Sequence, residues 1–203
     1  MTRNMIQIRH ERLADFDARE ALLDNAFGET RYRKSSERLR EDRLPAEGLS
    51  FIASEGRRVI GTARLWDVSV GNGKAALLLG PVAVAEDCRS RGLGGALVRR
   101  AIQQARKLGH GAVILVGDPE YYSRFGFSGE KTGALWMPGP FERHRLLGRE
   151  LKAGSLDGAR GLKSPETLKI VDAAGKTRRP PFRSSQAADM TPAYDKFIWR
   201  LAQ

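Results

Sequence analysis

The chain of 203 residues and 22.5 kDa suits one ordinary domain with an appendage, because single hydrophobic cores stop growing well short of two full domains. At 41% hydrophobic and 29% charged residues it is too apolar to be disordered, and no window approaches the roughly 18 uninterrupted apolar residues of a membrane span. With 35 Lys and Arg against 24 Asp and Glu, the net charge of +11 predicts attraction to an anion: nucleic acid, an anionic cofactor or an acidic protein.

The N-terminus, "MTRNMIQIRHERL", has no apolar signal core, so the expected compartment is the cytoplasm. The single cysteine, Cys88, can form neither an internal disulfide nor a zinc knuckle, which fits a reducing environment and predicts no metal.

In chain order, "MIQIRH" alternates like a short strand, and Leu13, Phe16, Leu22, Leu23, Ala26 and Phe27 recur at near-helical spacing. Ser35 and Ser36 before "ERLREDRL" predict a second, capped and charged helix closed by Pro45. Three strand-like runs follow at 49–54, 59–70 and 75–84, joined by the turn sequences "EGRR" and "GNGK", which predicts an antiparallel meander.

"LGGALVRRAIQQARKLG" places Leu93, Leu97, Ala101, Ala105 and Leu108 on one face and Arg99, Arg100, Gln103, Arg106 and Lys107 on the other, an amphipathic helix ended by Gly109. "AVILVG" reads as a central strand parallel to the one before that helix. "DPEYYSRFGF" is a turn and short helix ending at Gly126, with further strand and loop to about Leu156. These elements make residues 1–156 one domain with α/β (α+β) architecture. Residues 157–203 form a basic extension with nine Lys and Arg against five Asp and Glu, expected to lie on the domain as a strap. It holds one candidate hairpin, "LKIVDAAGKTR", and an amphipathic terminus, "YDKFIWRL".

The unusual stretch is "VAEDCRSRGLGGAL", with two arginines and three glycines in the seven residues Arg89 to Gly95, at a strand-to-helix junction. A dinucleotide fingerprint requires a third glycine where Leu97 stands. A Walker loop ending in Gly175-Lys176-Thr177 requires glycine where Ile170 stands. What survives is an anion cradle: glycines admit the anion to the backbone, the first helix amides point at it, and Arg89 and Arg91 add full charges.

Arg89-x-x-Gly92-x-Gly94, with Tyr122, Gly126 and Phe127 on the short helix after the next strand, resembles the paired motifs of the GNAT superfamily of acyl-CoA-dependent N-acyltransferases. "LLLGPVAV", "GDPEYYSRFGF" and "LWMPGPFERH" are similar to its bacterial YhbS-like subgroup. The resemblance covers roughly residues 5–156. It implies a mixed, mostly antiparallel sheet whose central pair of parallel strands splays apart between flanking helices.

It also implies acetyl-CoA as donor, with pantetheine pairing to the backbone of Val82, Ala83 and Val84, and pyrophosphate on the amides of Arg91, Gly92, Leu93, Gly94, Gly95 and Ala96 beside Arg89. Tyr122 and Phe125 would line the same site. An amine would attack the thioester directly in a ternary complex, with an amide at Val84 or its neighbour holding the oxyanion and Tyr122 protonating the leaving thiolate. A phenol near pKa 10 matches a thiol of about 8.5 to 10 for that transfer. Tyr121 is its neighbour, available to substrate or core.

The strand before the junction has no carboxylate or histidine, so no base stands on it. Glu120, Glu142, His144, Asp67 and a water chain are the alternatives. Cys88 is read as a small buried filler. The acceptor is an amine on a small molecule or a protein, and the positive charge argues against polycationic acceptors. It also admits an acidic acyl carrier protein as partner. The state is a monomer or homodimer. The competing reading is a catalytically silent module of the same fold that binds coenzyme A or, through Arg178, Arg179 and Arg183, nucleic acid.

Overall fold

A computed structural model describes residues 5–41 and 43–163. The candidate hairpin, the amphipathic terminus and Arg178, Arg179 and Arg183 lie outside the described residues. Six strands form one sheet in sequence order: β1 (Ile6–His10), β2 (Ser50–Glu55), β3 (Arg58–Ser69), β4 (Ala75–Val84), β5 (Ala112–Val116) and β6 (Leu146–Glu150). All neighbours are antiparallel except β4 and β5, which are parallel because α2 (Leu93–Lys107) carries the chain back between them. The meander and the crossover are those the sequence predicts.

The apolar stripe of α2 packs on one face. Leu97 and Ala101 are fully buried against Phe51, Ala53, Ala63 and Leu65, and Gly61 leaves room for Leu97: a Cβ there would lie 2.9 Å from its Cδ1. On the other face α1 (Phe16–Phe27) sets Leu22 and Leu23 over Ala83. Farther along, Val68, Val70, Leu78 and Ile114 bury Leu39, Leu135, Leu156, Ala159 and Leu162. Residues 157–163 lie against the sheet here, with Ser69 and Lys163 exchanging backbone hydrogen bonds of 2.8 and 3.0 Å.

The expected second helix does not form. Over 34–41 and at Arg43 the backbone makes mostly short-range turns, Glu37 to Lys34 O, Arg40 to Glu37 O and Arg43 to Arg40 O. Ser35 is not a cap: its hydroxyl donates to the Pro140 carbonyl, while Arg38 donates to Pro138 O at 2.7 Å. These ties to a loop 100 residues away, with Leu39 buried, fix the backbone more strongly than a cap and a few good helix formers do.

At the entry to α1, Asp15 accepts from the Arg12 amide at 2.7 Å and from both Arg9 guanidinium nitrogens at 2.6 and 2.7 Å. The Arg9 hydrogen bonds hold its carboxyl below the usual range. Because the folded value is depressed, this stabilisation is present above about pH 4, the unfolded value, and fades as pH falls through the folded one. Asp15→Asn is expected to cost about 1–2 kcal/mol at pH 7 in urea unfolding, with the difference from wild type shrinking toward pH 3.

Candidate active site

Between β4 and β5 only Leu77–Val113 and Leu78–Ile114 pair. Beyond them the strands part, and Gly80, Pro81, Val82 and Val84 are partly exposed although β4 is central in the sheet. The break begins at a bulge: Ala63 faces Val82 and Leu65 faces Leu79, so Arg64 alone stands opposite Gly80 and Pro81. The extra residue reverses the alternation, so that Leu77 and Leu79 before it and Val82 and Val84 after it all face the α2 core.

The Ala85 amide donates to Ile60 O at 2.9 Å. Antiparallel alternation then directs the Ala83 peptide to β3 and turns the N–H groups of Val82 and Val84 into the gap. Ala83 itself is buried under Leu22 and Leu23. The bulge and the departure of β5 thus leave a row of backbone donors and acceptors along one open edge.

The α2 N-terminus stands at the end of that edge. Gly92, its N-cap, is left-handed at φ 75°, and no side chain caps the helix. Ala96 N bonds Gly92 O at 3.0 Å, so Leu93, Gly94 and Gly95 are the first-turn amides without intrahelical partners. Gly94 and Gly95 have a second reason to be glycine. A Cβ at 94 would lie 3.1 Å from the Tyr121 hydroxyl and 3.7 Å from Val84 Cγ2, and one at 95 would lie 3.4 Å from the Phe125 ring.

Arg89 is largely exposed, 4.0 Å from Glu86. Arg91 is held at 3.4 Å by Glu55, a residue that local motif reading could not select because it lies 36 positions away. A bidentate pair between Arg58 and Asp87, both contacts 2.7 Å, ties the same loop to the β2–β3 turn.

Across the gap, α3 (Pro119–Ser123) is capped by Asp118, which accepts from the Glu120 amide at 3.0 Å. It brings Tyr121 and Tyr122 together edge to face, with Phe125 and Phe127 beside them. The Tyr122 ring lies directly over Gly117, at the end of β5, where a Cβ would be 2.3 Å from Cε2. Its hydroxyl makes no hydrogen bond among the described residues. Burial first, and Tyr121 second, push its pKa up to about 12, above the value near 10 that would match a thiol, so it is neutral at any physiological pH and a weaker acid than the sequence predicts.

The four candidate bases are not gathered here. Asp67 lines an open cleft of about 400 Å³ with Glu47, Leu108 and His110, at the C-terminal end of α2, roughly 22 Å from its N-terminus. His144 and Glu142 are exposed and face each other at 3.7 Å, and Glu120 is exposed on α3. Cys88 is buried, as expected, with the Arg91 guanidinium 3.5 Å from its sulfur.

The chain carries the signature of an acetyltransferase (GNAT) family over residues 14–127. It is 33% identical over 156 residues to the uncharacterized N-acetyltransferase YhbS of Escherichia coli K12, covering 76% of this chain and 93% of YhbS. The fold matches the crystal structure of E. coli YhbS in complex with CoA at a TM-score of 0.67 and 30% identity, over 79% of this chain and 90% of that one. It matches a GNAT family acetyltransferase from Brucella melitensis in complex with acetyl-CoA at 0.53 and 25% identity, over 76% and 99%. An uncapped glycine-rich helix start at the mouth of a splayed parallel pair, together with these likenesses, places the chain in the GNAT acetyltransferase family.

Proposed function

We propose that this protein is an N-acetyltransferase that takes its acetyl group from acetyl-CoA and passes it to a primary amine by direct attack. The observation that carries this reading is the open edge of β4, with the Val82 and Val84 peptides turned into the gap and leading to the free amides of Leu93, Gly94 and Gly95. Two relatives of matching fold are crystallised with CoA or acetyl-CoA. The residues present fit that molecule: a strand edge suits an extended amide-bearing arm, and a helix N-terminus suits a pyrophosphate.

When bound, acetyl-CoA supplies an electrophilic thioester carbonyl and a thiolate leaving group. The backbone N–H at Val84, or at Val82 one pleat nearer the bulge, donates to the carbonyl oxygen as it gains charge, and needs no reorganisation because the strand already holds it. Tyr122, protonated and without a partner among the described residues, gives its proton to the departing sulfur, while the attacking nitrogen loses a proton to water, which returns one to the tyrosinate. Arg89 and Arg91 add charge beside the helix amides, with Glu55 orienting Arg91. Phe125 closes the helix start against α3.

The test is thiol release from acetyl-CoA across a panel of amines, with thermal unfolding measured in the presence and absence of coenzyme A. The expected result is a concentration-dependent rise in Tm and turnover with at least one acceptor. No Tm rise and no turnover would overturn the assignment. A rise without turnover on any amine would leave a silent binding module in its place.

A further inference from the structure

Some basic side chains of the described fold are matched by carboxylates. Arg9, Arg19, Arg31, Arg40, Arg58 and Arg91 each have an acidic partner. The outer face of α2 is different. The helix has no Asp or Glu along its length, and Arg99, Gln103, Arg106 and Lys107 are exposed on it.

Arg149 of β6 stands beside Arg106 and donates to the Phe125 carbonyl. Burial first, and the charge of Arg106 second, hold its guanidinium below the ordinary value. None of Arg99, Arg106, Lys107 and Arg149 forms an ion pair among the described residues. The helix dipole accounts for Arg106 and Lys107 in the last turn of α2, but not for Arg99 in its second turn or for Arg149 on another strand. Residues 164–203 carry seven Lys and Arg against four Asp and Glu, so the remainder of the chain brings no net negative charge to it.

We infer that this ridge is a docking surface for an acidic protein segment, a helix bearing carboxylates on successive turns. Arg99 and Arg106 are seven residues apart, about 10.5 Å along the axis, which is the spacing of carboxylates two turns apart on a helix laid alongside. Guanidinium groups pair with carboxylates through two parallel hydrogen bonds, and a carboxylate-bearing helix supplies the counter-charges that the described residues do not. Bases find no platform here, because the ring under Arg99, Phe125, is 4% exposed. Arg106 and Lys107 lie in the last turn of α2, away from its N-terminus, whereas Arg99 lies 3.5 Å from where a Cβ at Gly95 would stand, so the variants that test the ridge are placed at Arg106 and Lys107.

The experiment uses the full chain and a fluorescein-labelled helical peptide with glutamates at i, i+3 and i+7 repeats, followed by anisotropy at two salt concentrations. Arg106→Glu/Lys107→Glu is expected to raise Kd by at least about tenfold and to flatten its salt dependence, with the coenzyme A thermal shift unchanged. Arg106→Gln/Lys107→Gln should act in the same direction with a smaller change, which covers the case in which the charge reversal impairs folding. Arg57→Glu, on the β2–β3 turn, should leave Kd within about twofold. Equal weakening by Arg57→Glu, or none by the ridge variants, would overturn the inference. So would a short duplex RNA that binds more tightly than the peptide and depends on the same two residues.

Discussion

Tyr122→Phe is expected to lower kcat for thiol release by about 10²-fold or more, while the Tm rise produced by coenzyme A stays within a degree or so of wild type. The substitution removes one oxygen and keeps the ring that packs over Gly117 and against Phe127. The hydroxyl has no partner among the described residues, so its loss leaves no orphaned group and costs little stability. A proton donor to the thiolate acts only as the carbon–sulfur bond breaks, so its removal falls on kcat and spares binding.

The pH profile gives a second reading. Because Tyr122 is held at about 12, above its unfolded value near 10, its neutral form is favoured by the fold. That contribution is complete below about pH 10 and is lost as pH rises toward 12. Wild-type kcat should therefore show no alkaline decline attributable to this phenol up to about pH 10. A change in kcat of less than about threefold on Tyr122→Phe would remove Tyr122 from the chemistry.

Gly117→Ala is expected to destabilise the protein by about 1–3 kcal/mol and to reduce kcat nearly as far as Tyr122→Phe, although residue 117 carries no chemistry of its own. The new methyl would sit 2.3 Å from Cε2 and 2.7 Å from Cδ2 of Tyr122, and 3.0 Å from Leu115 Cδ1. The strand cannot retreat, because the Gly117 amide is bonded to Arg145 O at 2.9 Å. The ring must therefore move, and the hydroxyl moves with it. In a Tyr122→Ala background the stability cost of Gly117→Ala should largely vanish, since the space the ring occupied receives the methyl. Urea unfolding of the four proteins checks the first part and thiol release the second. A full cost that persists without the ring would show that Gly117 is required for a reason other than Tyr122.

Glycine also shows where local reading of a sequence stops. Gly92 answers a demand of the turn itself: it is left-handed, and a Cβ there would meet nothing within 4 Å. Gly94 and Gly95 lie in the same motif, but contacts from Tyr121 and Phe125, nearly thirty residues on, set their space. Gly61 and Gly117 belong to no motif and are fixed by Leu97 and Tyr122. Conformational demand is local to the chain and can be read there. Close approach belongs to a pair of elements and appears only once they are packed.

The same division runs through the whole molecule. Period-two and period-3.6 hydrophobic patterns, with turn residues at the junctions, determined the meander, α1, α2 and the parallel return of β5, because burial of one face suffices to choose those elements. The motif residues by themselves identified the family, and they carry the proposed anion cradle. Only the tertiary structure decided that 34–41 is a chain of turns tied to Pro138 and Pro140, and that Glu55 holds Arg91. It alone placed Asp67 at the C-terminal end of α2, and left the α2 ridge without ion pairs among the described residues. Each of these depends on a partner distant in sequence, and no local pattern encodes the position of a partner that the chain reaches only by folding.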